Sequence, residues 1–133
     1  MAQSKTILTV NTHPGDSTIE SVTGDKFKGD GYYGRSDGLH TIQINLSGFL
    51  GDIEMQGTLA VDPTADDWFT VRLGSGQTMD TTGKIVSATT TKLEYTDNET
   101  SSKTYNLTGN YVWIRAYVSN WTDGTVNSIR LNH

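Results

Sequence analysis

The sequence predicts an all-β fold: an antiparallel β-sandwich, jelly-roll-like, built from about eight or nine strands in a single domain spanning residues 1–133. Three observations carry this. The chain is rich in Thr, Gly, Asn, Asp, Val, Ile and Tyr, which favour strands and turns, and poor in the straight-chain helix formers. No window repeats apolar residues at three-and-four spacing for more than a turn or two, whereas period-two alternation recurs throughout. Turn signals separate the alternating runs at the regular spacing of a sandwich or barrel.

Taken in order, Thr6–Val10 and Thr18–Thr23 are short strands. In the strand from His40 to Leu46, Ile42, Ile44 and Leu46 oppose Thr41, Gln43 and Asn45. A second alternating run sets Ile53, Met55, Gly57 and Leu59 against Glu54, Gln56, Thr58 and Ala60. Asp67–Leu73 and Ile85–Tyr95 follow, the latter broken near Ala88, and then the short Thr104–Leu107. Tyr111–Val118 is the clearest, with Val112, Ile114, Ala116 and Val118 opposed to Tyr111, Trp113, Arg115 and Tyr117. Thr125–Leu131 closes the set. The turns are read at Pro14-Gly15-Asp16, Thr23-Gly24-Asp25, Gly29-Asp30-Gly31, Ser36-Asp37-Gly38, Gly48, Gly74-Ser75-Gly76, Thr108-Gly109-Asn110 and Thr122-Asp123-Gly124. Asp123-Gly124 lies between two strong strands and is expected to make a tight hairpin. The stretch from Gly24 to Gly38 contains Phe27, Tyr32 and Tyr33, too apolar for a linker, and reads as a long ordered loop at one end of the sandwich.

A chain of 133 residues buries enough surface to fold without a staple, and it has no cysteine. Ten basic residues are scattered among fifteen acidic ones for a net charge of −5, which argues against nucleic acid and against anionic membranes as partners. The longest apolar run near the start is Ile7-Leu8, so synthesis in a cytoplasm without a visible export signal is the expectation.

Chemistry is hard to find. His13, His40 and His133 carry no local nucleophile motif and read as surface residues. Glu54 projects from a strand face as a lone carboxylate, where a glycosidase needs a pair. Asp25, Asp30 and Asp37 in one loop, and Asp62, Asp66 and Asp67 in another, have the oxygen chemistry of calcium, but the regular twelve-residue calcium loop is missing and turn Asp residues explain themselves. Gly29-x-Gly31-x-x-Gly34 lacks the following helix that a pyrophosphate site needs. The expectation is no enzyme, no metal and no cofactor. What remains is aromatic: Tyr32 and Tyr33 in a loop and Trp121 at a hairpin tip are the candidate interaction residues, while Trp68 is expected in the core and Trp113 fits either role.

Three segments carry a resemblance. They are Gly31-Tyr32-Tyr33-Gly34-Arg35-Ser36-Asp37-Gly38-Leu39-His40-Thr41-Ile42-Gln43, the run Gln56-Gly57-Thr58-Leu59-Ala60 with Asp67-Trp68-Phe69-Thr70-Val71, and Leu107 to Val118 with Gly124-Thr125-Val126. Together they resemble small β-sandwich virion structural proteins of tailed bacteriophages, of marine cyanophage type. The resemblance implies a non-enzymatic component of a phage particle, a head decoration, neck or tail protein, whose partners are other virion proteins and which acts as a homo-oligomer or bound to a lattice. It carries over no site residue. Gly109-Asn110-Tyr111-Val112-Trp113-Ile114-Arg115-Ala116 also echoes galactose-binding-like sandwiches, so a carbohydrate-binding module or receptor-binding domain using loop aromatics is the alternative.

Overall fold

Three long strands organise the molecule. The computed structural model describes residues 5–34, 38–79, 82 and 85–132. Ten strands are found there: β1 Lys5–Leu8, β2 Asn11–Thr12, β3 Glu20–Thr23, β4 Phe27–Lys28, β5 Leu39–Thr58, β6 Phe69–Val71, β7 Leu73–Met79, β8 Ile85–Thr90, β9 Leu93–Thr108 and β10 Trp113–Asn132. The one helical element among the described residues is a 3-10 turn at Ala65–Asp67, closed by the Asp67 carboxylate accepting the Thr64 backbone N–H at 2.6 Å. The all-β antiparallel class read from the sequence is the class observed.

The hydrogen bonding forms one sheet rather than two. β10 lies between β5 and a broken edge made successively by β4, β3, β2 and β1. On its other side β5 meets β9 and, near its end, β6, and the sheet continues from β9 through β7 to β8. The sheet curls because its three long strands break register at the same level. Between Ser119↔Asp52 and Asp123↔Leu50, β10 advances four residues against two on β5. Between Gly51↔Tyr95 and Phe49↔Glu99, β9 supplies four against two. Such bulges bend a strand and increase its twist.

The bend also explains the core. Before it, β5 buries His40, Ile42, Ile44 and Leu46; after it, Phe49, Ile53 and Met55. The buried parity switches from even to odd, so one continuous strand keeps its apolar side inward on both arms of the fold. β10 does the same with Ile114, Ala116 and Val118, then Trp121, then Val126, Ile129 and Leu131. The apolar ones share one cluster with Ile7, Leu8, Val71, Leu73, Leu93, Tyr105 and Leu107.

Several boundaries differ from the sequence reading. The expected strands His40–Leu46 and Ile53–Ala60 are the two arms of β5, and Tyr111–Val118 and Thr125–Leu131 are the two arms of β10. Asp123-Gly124 is therefore a bulge inside β10, not a hairpin, and Gly48 and Gly74-Ser75-Gly76 likewise lie within strands. At the corner Gly124 has φ +83°, and a Cβ there would stand 2.0 Å from the Gly48 carbonyl oxygen. Glycine is required for the two strands to approach so closely. Thr104–Leu107 is the end of β9, and Val112 is half-buried just outside β10, its N–H bonded to Thr58 O at 2.9 Å.

Candidate functional site

The corner and the free ends of the curled sheet are opposite poles. β5 and β10 both fold back at the corner, so the start and finish of each lie together at the open end. Trp113, which begins β10, and Leu131, near its finish, line one cleft with Lys5 of β1.

The loop between β4 and β5 is tied down at this end. Gly29 N–H and Gly31 N–H donate to Val112 O and Tyr111 O, each at 2.9 Å, and Gly109 N–H donates to Gly38 O at 2.9 Å. Asp30 and His40 are buried beneath it: the Asp30 backbone N–H donates to His40 Nε2 at 3.1 Å, and Asp30 Oδ2 accepts the Gly38 N–H at 3.1 Å. A Cβ on Gly31 would sit 2.1 Å from Asn110 O, so this glycine is explained by backbone contact and not by phosphate. The expected glycine-loop match thus has a structural cause.

That anchoring presents the two tyrosines. Tyr32 and Tyr33 pack edge to face at 5.5 Å and are 43% and 48% exposed. Tyr32 also leans on Trp113 with ring centroids 5.1 Å apart. Trp113 is half-buried on the outer side of the sheet, and its Nε1 donates to Val61 O at 2.9 Å. Lys26 Nζ stands 4.4 Å above the Trp113 ring and Lys28 Nζ 4.5 Å above Tyr32, both within cation–π range. A cleft of about 270 Å³ is lined by Lys5, Lys26, Phe27, Lys28, Tyr33, Trp113 and Leu131. Among the described residues none of the three lysines forms an ion pair.

The same end concentrates exposed apolar surface. Eight large apolar side chains are exposed among the described residues, and six of them (Tyr32, Tyr33, Leu39, Leu59, Val61 and Phe69) lie here. Isolated exposed apolar residues are ordinary, whereas a concentration of them at one end makes that end the candidate binding surface.

The other candidates resolve differently. Trp121 is 3% exposed and packs beneath the corner, against Phe49 at 6.2 Å and His13 at 5.6 Å, with Nε1 donating to Asp123 O at 2.9 Å. The expectation of an exposed Trp121 at a hairpin tip is corrected, because the bulge turns its ring inward. His13 is buried too: Nδ1 accepts the Gly15 N–H at 3.0 Å, which leaves Nε2 to donate to Thr18 O at 3.0 Å. His13 and His40 are therefore internal, not surface, residues; His133 and Asp37 lie outside the described residues. Trp68, expected in the core, is half-buried on the outer face under the Arg115 guanidinium at 4.1 Å. Arg115 Nε donates to Gln56 Oε1 at 2.7 Å, and burial lowers the Arg115 pKa from its ordinary value. Glu54 accepts Thr70 Oγ1–H at 2.8 Å in the same polar ladder, as a strand-face residue would. Among the described residues no three His, Asp or Glu side chains converge as metal ligands.

The lysines are what sequence reasoning missed. Lys5 is separated from Lys26 by most of the broken edge, and only the pairing of β1 and β4 with opposite ends of β10 brings the two together. No local signal marks that convergence, and the basic residues that read as scattered include this group.

No family model matches the chain, and no curated protein matches it. Among solved structures it is similar to the crystal structure of the SPBc2 prophage-derived protein YomS, with 11% sequence identity over 98% of this chain and 94% of that one and a TM-score of 0.49.

Proposed function

We propose that this chain is a non-enzymatic structural protein of a bacteriophage particle, a head decoration, neck or tail component, that attaches to other virion proteins through the open end of its sheet. The phage assignment is supported by the resemblance of the three segments around Tyr32, Trp68 and Trp113 to small β-sandwich virion proteins. The observation that carries the binding role is the concentration at one end of exposed Tyr32, Tyr33, Leu39, Leu59, Val61 and Phe69, together with Trp113 and three lysines that form no ion pair among the described residues. Aromatic anchors on a rigid edge give large contact area at little entropy cost, and repetition on a symmetric particle multiplies weak contacts into firm attachment. Tyr33 and Trp113 also line a cleft, which is the feature that favours the alternative of glycan recognition. Both readings are tested together by adding purified protein to particles that lack it and to a glycan array, as wild type and as Tyr33→Ala. The expected result is saturable particle binding, weakened at least about tenfold by the substitution and accompanied by no glycan signal. Glycan binding lost in Tyr33→Ala, with no affinity for particles, would replace the proposal with the carbohydrate-binding one.

A further inference from the structure

The cleft at the open end has a counterpart at the other pole of the same chain. Among the described residues its charged lining is cationic, Lys5, Lys26 and Lys28, while its apolar lining is Phe27, Tyr33, Trp113 and Leu131. Among the described residues, Asp25, Asp30, Asp62, Asp66 and Asp67 do not line it. Around the corner two clefts have, among the described residues, an anionic charged lining: Asp16 and Asp123 in one, Asp52 and Glu94 in the other. Leu50 and Thr122 border both and so form the ridge between them. Lys92 meets Asp52 at 3.9 Å, which leaves the ridge at about three net negative charges facing three positive ones.

From these facts we infer that the lysine cleft receives the corner ridge of a second copy of this chain, in a head-to-tail contact. Leu50 would enter against Phe27, Trp113 and Leu131, while the flanking carboxylates meet Lys5, Lys26 and Lys28. The two poles of one molecule cannot satisfy each other. Trp113 and Trp121 are eight residues apart on one strand arm, about 26 Å at the rise of a β-strand. The complement must come from another copy. A contact between unlike surfaces repeats in one direction, closing into a ring or growing as a filament according to its rotation, as a particle component requires. The lysines are suited to this because Lys26 and Lys28 are already held over aromatic rings, so little side-chain freedom remains to be lost on docking. Sugar stacking is less well served, since the Lys26 ammonium covers one face of Trp113.

The inference rests on reading the open end as an interaction surface, and its test separates the two. Sedimentation of the whole chain is measured at about 0.01 M salt, where charges act over about 30 Å, and at about 1 M, where they act over about 3 Å. Wild type is expected to associate at low salt and to dissociate at high salt. Lys26→Glu combined with Lys28→Glu, and separately Glu94→Lys, should each weaken association at least about tenfold with unchanged circular dichroism, and mixing the two variants should restore it. All of these positions are exposed, so folding is not at stake. A wild type that stays monomeric at low salt up to about 1 mM, association indifferent to salt, or variants that are not rescued by mixing would each overturn the proposal. Particle binding is scored separately: a chain that binds particles yet stays monomeric loses the head-to-tail contact and keeps the virion role.

Discussion

The corner of the sheet gives the sharpest test of the fold, because two glycines there share a backbone conformation and differ in surroundings. Gly124 has φ +83° and Gly48 has φ +62°, both in the region that L side chains disfavour. A Cβ on Gly48 meets nothing within 4 Å, whereas one on Gly124 would lie 2.0 Å from Gly48 O, 2.3 Å from Gly48 C and 2.6 Å from Phe49 N. Gly48→Ala therefore costs only the conformational strain, about 1–2 kcal/mol. Gly124→Ala incurs the same strain and must also push two backbones apart. That movement opens the bulge over Phe49, which is fully buried, and over Trp121. Overpacking of this kind adds about 1–3 kcal/mol, for a total of about 2–5 kcal/mol. At roughly 3 °C per kcal/mol for a domain of this size, the two variants should differ in thermal midpoint by about 3–9 °C. Urea midpoints at constant slope provide the same comparison. Equal losses for the two substitutions would refute the close approach of β5 and β10 at the corner.

The remaining expectations concern the core, the two aromatic poles and pH. Ile114→Ala, at a fully buried site, should cost about 2–5 kcal/mol by urea denaturation, and a loss below about half a kcal/mol would mean that the faces of β10 are reversed. Trp121→Ala should cost about 3–5 kcal/mol in the same assay while leaving particle affinity of the folded fraction unchanged, the reverse of Tyr33→Ala. Asp16 is held below the ordinary carboxylate range by hydrogen bonds from Thr18, and Glu99 by the neighbouring Ser101 hydroxyl and the Lys103 ammonium 3.4 Å away. A depressed carboxylate stabilises the fold above its unfolded pKa and loses that contribution as pH falls through its folded one, so thermal midpoints should decline below about pH 4.5. Thr18→Val should make that decline shallower, and an unchanged profile would count against the Asp16 contacts.

The class of this fold was legible in the sequence because period-two alternation is a local property and survives wherever a strand is half-buried. Ile42, Ile44 and Leu46 face inward as read, and so do Ile114, Ala116 and Val118. What local reading cannot register is a strand that keeps going through a bend. A bulge at Gly48 or at Asp123-Gly124 shifts the alternation and places a glycine in the run, which is also how a strand end followed by a hairpin is written. The two are told apart only by what lies across the strand: Gly48 O beside Gly124, and Trp121 Cα 2.9 Å from a Cβ on Gly51. The error about Trp121 follows from this one ambiguity, since a tryptophan at a hairpin tip faces solvent and a tryptophan at an inward bulge caps the core.

The candidate site divides along the same line. Tyr32 and Tyr33 were legible because a turn packed with glycine and aspartate has nowhere inside the molecule to put two adjacent aromatic rings, and both are exposed. Lys5, Lys26 and Lys28 were not, because their meeting depends on β1 and β4 pairing with the two arms of β10 and on those arms folding back at the corner. The bend that hides Trp121 is thus what assembles the lysine cleft. It turns one strand into two layers, brings Trp113 and Leu131 to a common edge, and leaves the carboxylates of the bulges at the far pole. The step that builds the core also assembles the lysine cleft, so a substitution that opens the corner should disperse that cleft along with the packing.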